Sequence, residues 1–252
     1  MASFAYLILC SLLLFYVNCQ ELNVNKNLGE SNYKEAIFTY PPQILSERDI
    51  PVCANEKDEL IACNVVNQRY FYPPTIERLC RCPDRSECPW EFSEYKTVQR
   101  KEGRFKKIAD QNTVMLSSRS QLKFCNEVSS LEKCTKSLNE TALKVVFMEP
   151  NVRRILTQCH CPAFKRWILI SDDSKEFSNG TILRTLSYSC DKLPKCNEGE
   201  LCGHVRQDTY STYFLCSCPL KTLCYPPNMK DVYNVSELFY TGPAIKAYCV
   251  KT

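Results

Sequence analysis

Among the residues of this 252-residue chain that could bind a soft metal, cysteines dominate, eighteen in all. There are two histidines, His160 and His204. His160 stands between Cys159 and Cys161, an order that in a reducing compartment would offer two thiolates and an imidazole to zinc. His204 follows Gly203 beside Cys202 and reads as a surface-loop residue. The acidic pair Asp172-Asp173 falls where a hairpin turn is expected and reads as solvated loop, not as two carboxylates sharing acid–base work. With six glycines in all, the chain has no Gly-rich run to cradle phosphate. The inventory argues against an enzyme, and no catalytic residue, metal or cofactor is expected.

The elements that must position these side chains are announced by the cysteines. Cys-x-Cys-Pro occurs three times, as Cys80-Arg81-Cys82-Pro83, Cys159-His160-Cys161-Pro162 and Cys216-Ser217-Cys218-Pro219. Each copy follows a strand-like apolar run and precedes a long stretch ending in another cysteine, the mark of a repeated small module. Residues 1–19 carry no charge, and Phe4 to Val17 form an apolar run too short to span a bilayer, so they read as a signal peptide cleaved after Cys19. Cys10 and Cys19 leave with it, and sixteen cysteines remain of eighteen. An even number in a secreted chain reads as a disulfide framework, which removes the thiolates a metal would need. Sequons at Asn139, Asn179 and Asn234 suit the same compartment. No later segment is apolar enough to span a membrane, and a net charge of +4 is too small to imply nucleic acid.

The spacing divides the chain into a cysteine-free arm or propeptide (20–52), module 1 (53–125), module 2 (126–190) and module 3 (191–252). Modules of this size need staples, because a core alone is marginal. Modules 1 and 3 each hold six cysteines, with five residues from Cys82 to Cys88 and five from Cys218 to Cys224. Module 2 holds four, and Trp167 stands where its fifth would fall. Loss of a bonded pair leaves no orphan thiol. The 24 residues between Cys134 and Cys159 match the first-to-third spacings of the other modules (26 and 19) better than the second-to-third spacings (16 and 13). The lost pair is then the second and fifth, which predicts Cys63–Cys88 and Cys202–Cys224, with Trp167 filling the gap by packing. Within Cys-x-Cys both side chains share a strand face and are poorly placed to bond each other. Cys80 and Cys82 therefore reach Cys53 and Cys125, in an order the sequence leaves open.

The chain reads as mainly β, without a long helix. Arg69 to Tyr72 and Ile76 to Cys82 resemble strands around Pro73-Pro74, and Leu143 to Met148 with Val152 to Cys161 repeat the pattern. Val205 to Cys218 is the third copy. Asn179-Gly180 is a two-residue hairpin signal between Trp167–Ile170 and Thr181–Tyr188. The basic run Arg104, Phe105, Lys106 and Lys107 reads as a solvated hairpin tip or as a contact patch for an acidic partner. Tyr70, Phe71, Tyr72, Tyr210 and Tyr213 suit either cross-strand stacking or a protein-binding surface. An epidermal-growth-factor-like module explains fewer residues than the three-copy register, because Pro219 to Leu223 is short and lacks glycine.

A signal peptide, a cysteine-free arm and sixteen cysteines around repeated Cys-x-Cys-Pro resemble the eleventh scoloptoxin family of centipede venoms. The same organisation is similar to giant-lens (Argos), a secreted arthropod antagonist that sequesters an epidermal-growth-factor-like ligand. The likeness covers residues 53–249 through cysteine order and the three motifs. Giant-lens implies small β modules of three-finger-like character arranged as a clamp. The venom family implies a neurotoxin that reduces voltage-gated potassium currents. The first expectation is a secreted, monomeric toxin that binds an ion channel or receptor. The second is a growth-factor antagonist, and the third an extracellular scaffold.

Overall fold

The computed structural model describes residues 36–41, 44, 46–53, 60–93, 96–99, 105–108, 110–129, 131–134, 140–148, 152–162 and 165–251. The expected signal peptide, most of the arm, Arg104 and Asn139 lie outside the described residues, and for Phe105, Lys106 and Lys107 only the backbone is described.

Among the described residues all regular structure is β apart from one 3-10 turn, Glu47–Asp49. The strands are β1 (Ile37–Thr39), β2 (Leu60–Asn67), β3 (Thr75–Arg78), β4 (Lys96–Gln99), β5 (Phe105–Ile108), β6 (Thr113–Met115) and β7 (Ser120–Phe124). Then follow β8 (Leu143–Met148), β9 (Val152–Thr157), β10 (Lys165–Glu176) and β11 (Ile182–Lys192). The last five are β12 (Leu201–Arg206), β13 (Thr212–Phe214), β14 (Thr222–Tyr225), β15 (Val232–Glu237) and β16 (Tyr240–Lys251).

One order recurs three times. Two hairpins lie side by side so that the first strand of one pairs with the closing strand of the other: β3-β2-β7-β6, β9-β8-β11-β10 and β13-β12-β16-β14. In the third copy β15 continues along β16 beyond β14. The residue before each first cysteine forms a parallel bridge with the middle residue of Cys-x-Cys: Val52 with Arg81, Lys133 with His160, Lys195 with Ser217. The amides of Cys53, Cys134 and Cys196 donate to the carbonyls of Arg81, His160 and Ser217 at 2.7, 3.0 and 2.9 Å.

The disulfides themselves resolve the order the sequence left open. In every module the first cysteine takes the first cysteine of the motif, giving Cys53–Cys80, Cys134–Cys159 and Cys196–Cys216. The motif's second cysteine takes the closing one, giving Cys82–Cys125, Cys161–Cys190 and Cys218–Cys249. The remaining pairs are Cys63–Cys88 and Cys202–Cys224, with Cα atoms 6.0 and 5.8 Å apart. The fold is thus mainly β with eight disulfides.

The module 2 residues at the missing positions can be named. Trp167 lies opposite Cys190, the register that Cys224 holds opposite Cys249. The carbonyl of Ala142 accepts from the Gln158 amide at 3.0 Å, as Cys63 accepts from Leu79 at 2.9 Å and Cys202 from Leu215 at 2.8 Å. Ala142 and Trp167 are both buried in the largest core cluster. A small and a large side chain occupy the sites of the lost bond.

Modules 1 and 2 share that core. Ala62, Val65, Leu79, Val114, Leu122 and Phe124 pack in one cluster with Leu143, Val145, Ile155 and Tyr188. The start of β2 also pairs with β9, Leu60 opposite Thr157 and Ile61 opposite Leu156, which makes one nine-stranded sheet. β2 is buried along nearly its whole length, as a strand covered on both faces must be. Module 3 has its own cluster around Cys196, Cys202, Val205 and Ile245. The turn between β15 and β16 sends Leu238 and Phe239 into the shared core of the other two.

Four local expectations need correction. Tyr70, Phe71 and Tyr72 lie in the turn between β2 and β3, not in a strand; Phe71 has a left-handed φ of 61° that ends any ladder there. The Asn179 hairpin has a three-residue tip, Ser178 to Gly180: the Gly180 amide donates to the Phe177 carbonyl, and Gly180 takes φ 79°. Asp172 and Asp173 sit within β10, where the Arg184 guanidinium donates to Asp172 at 2.7 and 2.8 Å. His204 is buried on β12 (1% exposed), not in a surface loop. Within the stretch read as an arm, β1 pairs parallel with β3, Ile50 is buried, and Glu47 forms an ion pair with Arg78.

Candidate protein-binding surface

The buried His204 belongs to the seam between modules. Its Nδ1 faces the Tyr233 hydroxyl at 3.2 Å and its ring stacks on Tyr213, centroids 5.3 Å apart. Glu237 Oε2 lies 2.5 Å from Nε2, although that oxygen meets no donor with hydrogen-bond alignment. Gly203 beside it is required, since a Cβ there would be driven into the Tyr213 carbonyl oxygen where β12 and β13 approach. The Tyr213 hydroxyl then donates to the Trp167 carbonyl at 2.5 Å, and the Tyr188 hydroxyl to the Leu238 carbonyl at 3.3 Å. Burial pushes the Tyr213 phenol far above the usual tyrosine range. The imidazole is enclosed on an edge and a face, so it serves as an internal strut.

His160 is held by backbone on both sides, its amide donating to the Glu132 carbonyl at 2.8 Å. Burial, helped by Lys133, pulls its imidazole below the ordinary value and favours the neutral form. Sulfurs gather in groups such as Cys63, Cys82 and Cys125, but each is half of a disulfide and has no thiolate for a metal.

Two further features bear on binding. The first is the β4–β5 hairpin, whose strands pair Lys96 with Ile108 through Gln99 with Phe105, apart from both larger sheets. Phe105, Lys106 and Lys107 of the expected patch lie on β5, so the patch extends along a strand and not only over a tip. The hairpin's base is stapled by β7. Gln121 exchanges hydrogen bonds with the Ser93 backbone, accepting from its amide at 3.0 Å and donating to its carbonyl at 2.5 Å. Lys123, fully buried, donates to Ser93 Oγ, Asp110 Oδ2 and Thr113 Oγ1 at 2.9, 2.9 and 2.7 Å. Burial alone would push the Asp110 carboxyl up, but hydrogen bonds from Ser93, Thr113 and Lys123 together hold it below the usual range. Desolvation in turn lowers the Lys123 ammonium.

The second feature is an aromatic platform where the β2–β3 turn meets the β12–β13 turn. Phe71, Tyr72, Tyr210 and Tyr70 are 73%, 58%, 49% and 42% exposed. Tyr70 contacts Phe71 and Tyr210 edge-on, with centroids 4.2 and 5.9 Å away. The Arg119 guanidinium lies 4.9 Å over Tyr70, and that of Arg69 4.7 Å over Tyr72. Phe71 and Tyr210 both adopt left-handed backbone, with φ 61° and 52°. For bulky residues such a conformation costs about 1–3 kcal/mol each and persists only where the surroundings impose it. Those surroundings are hydrogen-bonded: Gln68 donates to the Arg119 carbonyl at 2.8 Å and Tyr210 to the Arg206 carbonyl at 3.0 Å. Arg206 reaches Ser120 Oγ at 3.3 Å, and Ser120 donates to Asn67 at 2.7 Å.

Of the sequons, Asn179 is exposed at the β10–β11 turn, where its side-chain oxygen accepts from the Thr181 amide at 3.0 Å. Asn234 is exposed on β15. No helix among the described residues is long and apolar enough to cross a membrane.

No family model matches the chain, and no curated protein matches it. Among solved structures, the crystal structure of unliganded Argos is similar to it, with a TM-score of 0.48 and 22% identity, covering 86% of this chain and 98% of that one.

Proposed function

We propose that this chain is a secreted, non-enzymatic binding protein of the giant-lens type, which sequesters an epidermal-growth-factor-like ligand. The observation that carries the reading is the fusion of its repeats into one preorganised body. A shared core and the β2–β9 pairing join modules 1 and 2, while Tyr213, Arg206 and the Leu238–Phe239 turn tie module 3 to them. A body rigid before binding loses less entropy on association, which suits capture of a folded protein by several modules at once. The cysteine order and the three Cys-x-Cys-Pro motifs support the same reading. Secretion is part of the proposal, supported by the disulfides and the expected leader, and N-glycans are proposed at Asn139, Asn179 and Asn234.

The test is titration of the glycosylated mature chain against soluble epidermal-growth-factor-like domains, read by calorimetry and by receptor phosphorylation in responsive cells. A one-to-one complex that silences signalling is expected. Absence of any complex at micromolar concentration refutes it.

The toxin reading keeps one supporting observation, the basic β4–β5 hairpin carried apart from the main sheets on a stapled base. Under it, neutralising Arg104, Lys106 and Lys107 with Phe105 left in place abolishes block of voltage-gated potassium currents. Currents unaffected by the unaltered chain exclude it.

A further inference from the structure

We infer that the platform of Tyr70, Phe71, Tyr72 and Tyr210, flanked by Arg69 and Arg119, is a contact surface for an acidic protein ligand. The inference deepens the sequestration reading and rests on it. Three aromatic rings from two modules meet outside the core, with exposed Tyr72 next in the turn under Arg69, and a hydrogen-bonded frame rather than burial holds them. At φ 61° and 52° a glycine would sit without strain, yet the chain places a phenylalanine and a tyrosine there. Nothing in the turns' own geometry calls for those side chains, so their value lies in what the rings touch. Tyrosine and arginine are the residues that dominate binding energy at protein interfaces.

Charge selects the partner. Arg69 and Arg119 lie over ring faces, and among the described residues neither is paired with a carboxylate. Asp208, the acid in the β12–β13 turn, is already engaged by Arg206 at 2.6 and 2.9 Å. Among the described residues the platform therefore presents guanidinium groups with no carboxylate partner beside apolar surface, which fits carboxylates next to an apolar patch on a ligand. Asn179 and Asn234 belong to other elements, so glycans there are not anchored on it.

The experiment uses the mature chain, unaltered and as two double variants, Phe71→Gly with Tyr210→Gly and Arg69→Glu with Arg119→Glu. Each is titrated against acidic epidermal-growth-factor-like domains and against vesicles of phosphatidylcholine with phosphatidylserine. Glycine suits both left-handed positions, so the first variant keeps its thermal midpoint while losing affinity roughly a hundredfold, two anchors at about tenfold each. Charge reversal weakens binding at least about tenfold and flattens its salt dependence. Unaltered chain that binds while both variants match it overturns the platform and leaves sequestration standing. Platform-dependent binding to vesicles without protein binding assigns the surface to membranes and overturns the inference. No binding by the unaltered chain overturns the inference together with the reading beneath it.

Discussion

Restoring the bond that module 2 lacks is a quantitative test of the repeat. Ala142 holds the backbone position of Cys63 and Cys202, and Trp167 the register of Cys224; the bonded pairs Cys63–Cys88 and Cys202–Cys224 have Cα atoms 6.0 and 5.8 Å apart. Trp167→Ala removes a side chain that is 4% exposed and lies within the largest core cluster, a loss of about 3–5 kcal/mol. The pair Ala142→Cys with Trp167→Cys loses the indole but closes a loop as long as that of Cys63–Cys88, whose separation is 25. Chain entropy for such a loop contributes about 3.5 kcal/mol. The two terms nearly cancel, and the double variant should lie within about 1.5 kcal/mol of the unaltered protein. Trp167→Cys alone should be as unstable as Trp167→Ala. The assay is guanidinium unfolding by circular dichroism without reductant, with alkylation and mass spectrometry to count free thiols. Two alkylatable cysteines in the folded double variant would show that these positions do not correspond to the bonded pair. A cost below about 1 kcal/mol for Trp167→Ala would show that the indole does not fill the gap.

Lys123→Met should change global stability little, because Asp110 is 43% exposed and can solvate, while amide exchange across β4 and β5 rises; unchanged protection would refute the staple. The Asp110 carboxyl is held below its ordinary value of 3.8, so its stabilisation is complete above that pH and is lost as pH falls below it. Exchange in the hairpin should therefore rise below about pH 3.8 in the unaltered chain and by less in Lys123→Met, where the Ser93 and Thr113 hydrogen bonds to Asp110 remain. Tyr213→Phe deletes the hydrogen bond to the Trp167 carbonyl and should cost about 1 kcal/mol, seen as faster proteolysis between modules 2 and 3. Asn179→Gln and Asn234→Gln should each remove one glycan from the secreted protein with its thermal midpoint unchanged, since both side chains are exposed; an unshifted glycoform mass refutes occupancy at that site.

The parts legible in the chain were those written in covalent spacing. Three Cys-x-Cys-Pro motifs and their intervals reveal a repeat, and the absent cysteines of module 2 point to Trp167 as a replacement. The turn at Asn179-Gly180 was legible because glycine alone takes φ 79° without strain. Composition misled where it could not see register. Arg69 to Tyr72 carries the aromatic residues favoured in strands, yet the ladder runs through Leu60–Asn67, whose partners on β3, β7 and β9 are distant in sequence. His204 looked exposed because its neighbours are Gly203 and Cys202, while its burial comes from Tyr213, Tyr233 and Glu237.

The sequence by itself determined a disulfide-rich β chain of repeated modules, because cysteine number and spacing constrain which bonds can close. Only the tertiary structure decided which sulfur of each Cys-x-Cys takes the first cysteine. Both face the same way, and the first cysteine arrives on a segment bridged to the residue between them, so spacing alone cannot order the two bonds. It also decided that modules 1 and 2 share a core and that the turns of modules 1 and 3 form one aromatic surface. Those contacts join residues such as Tyr70 and Tyr210 across the chain, and local spacing carries no information about them.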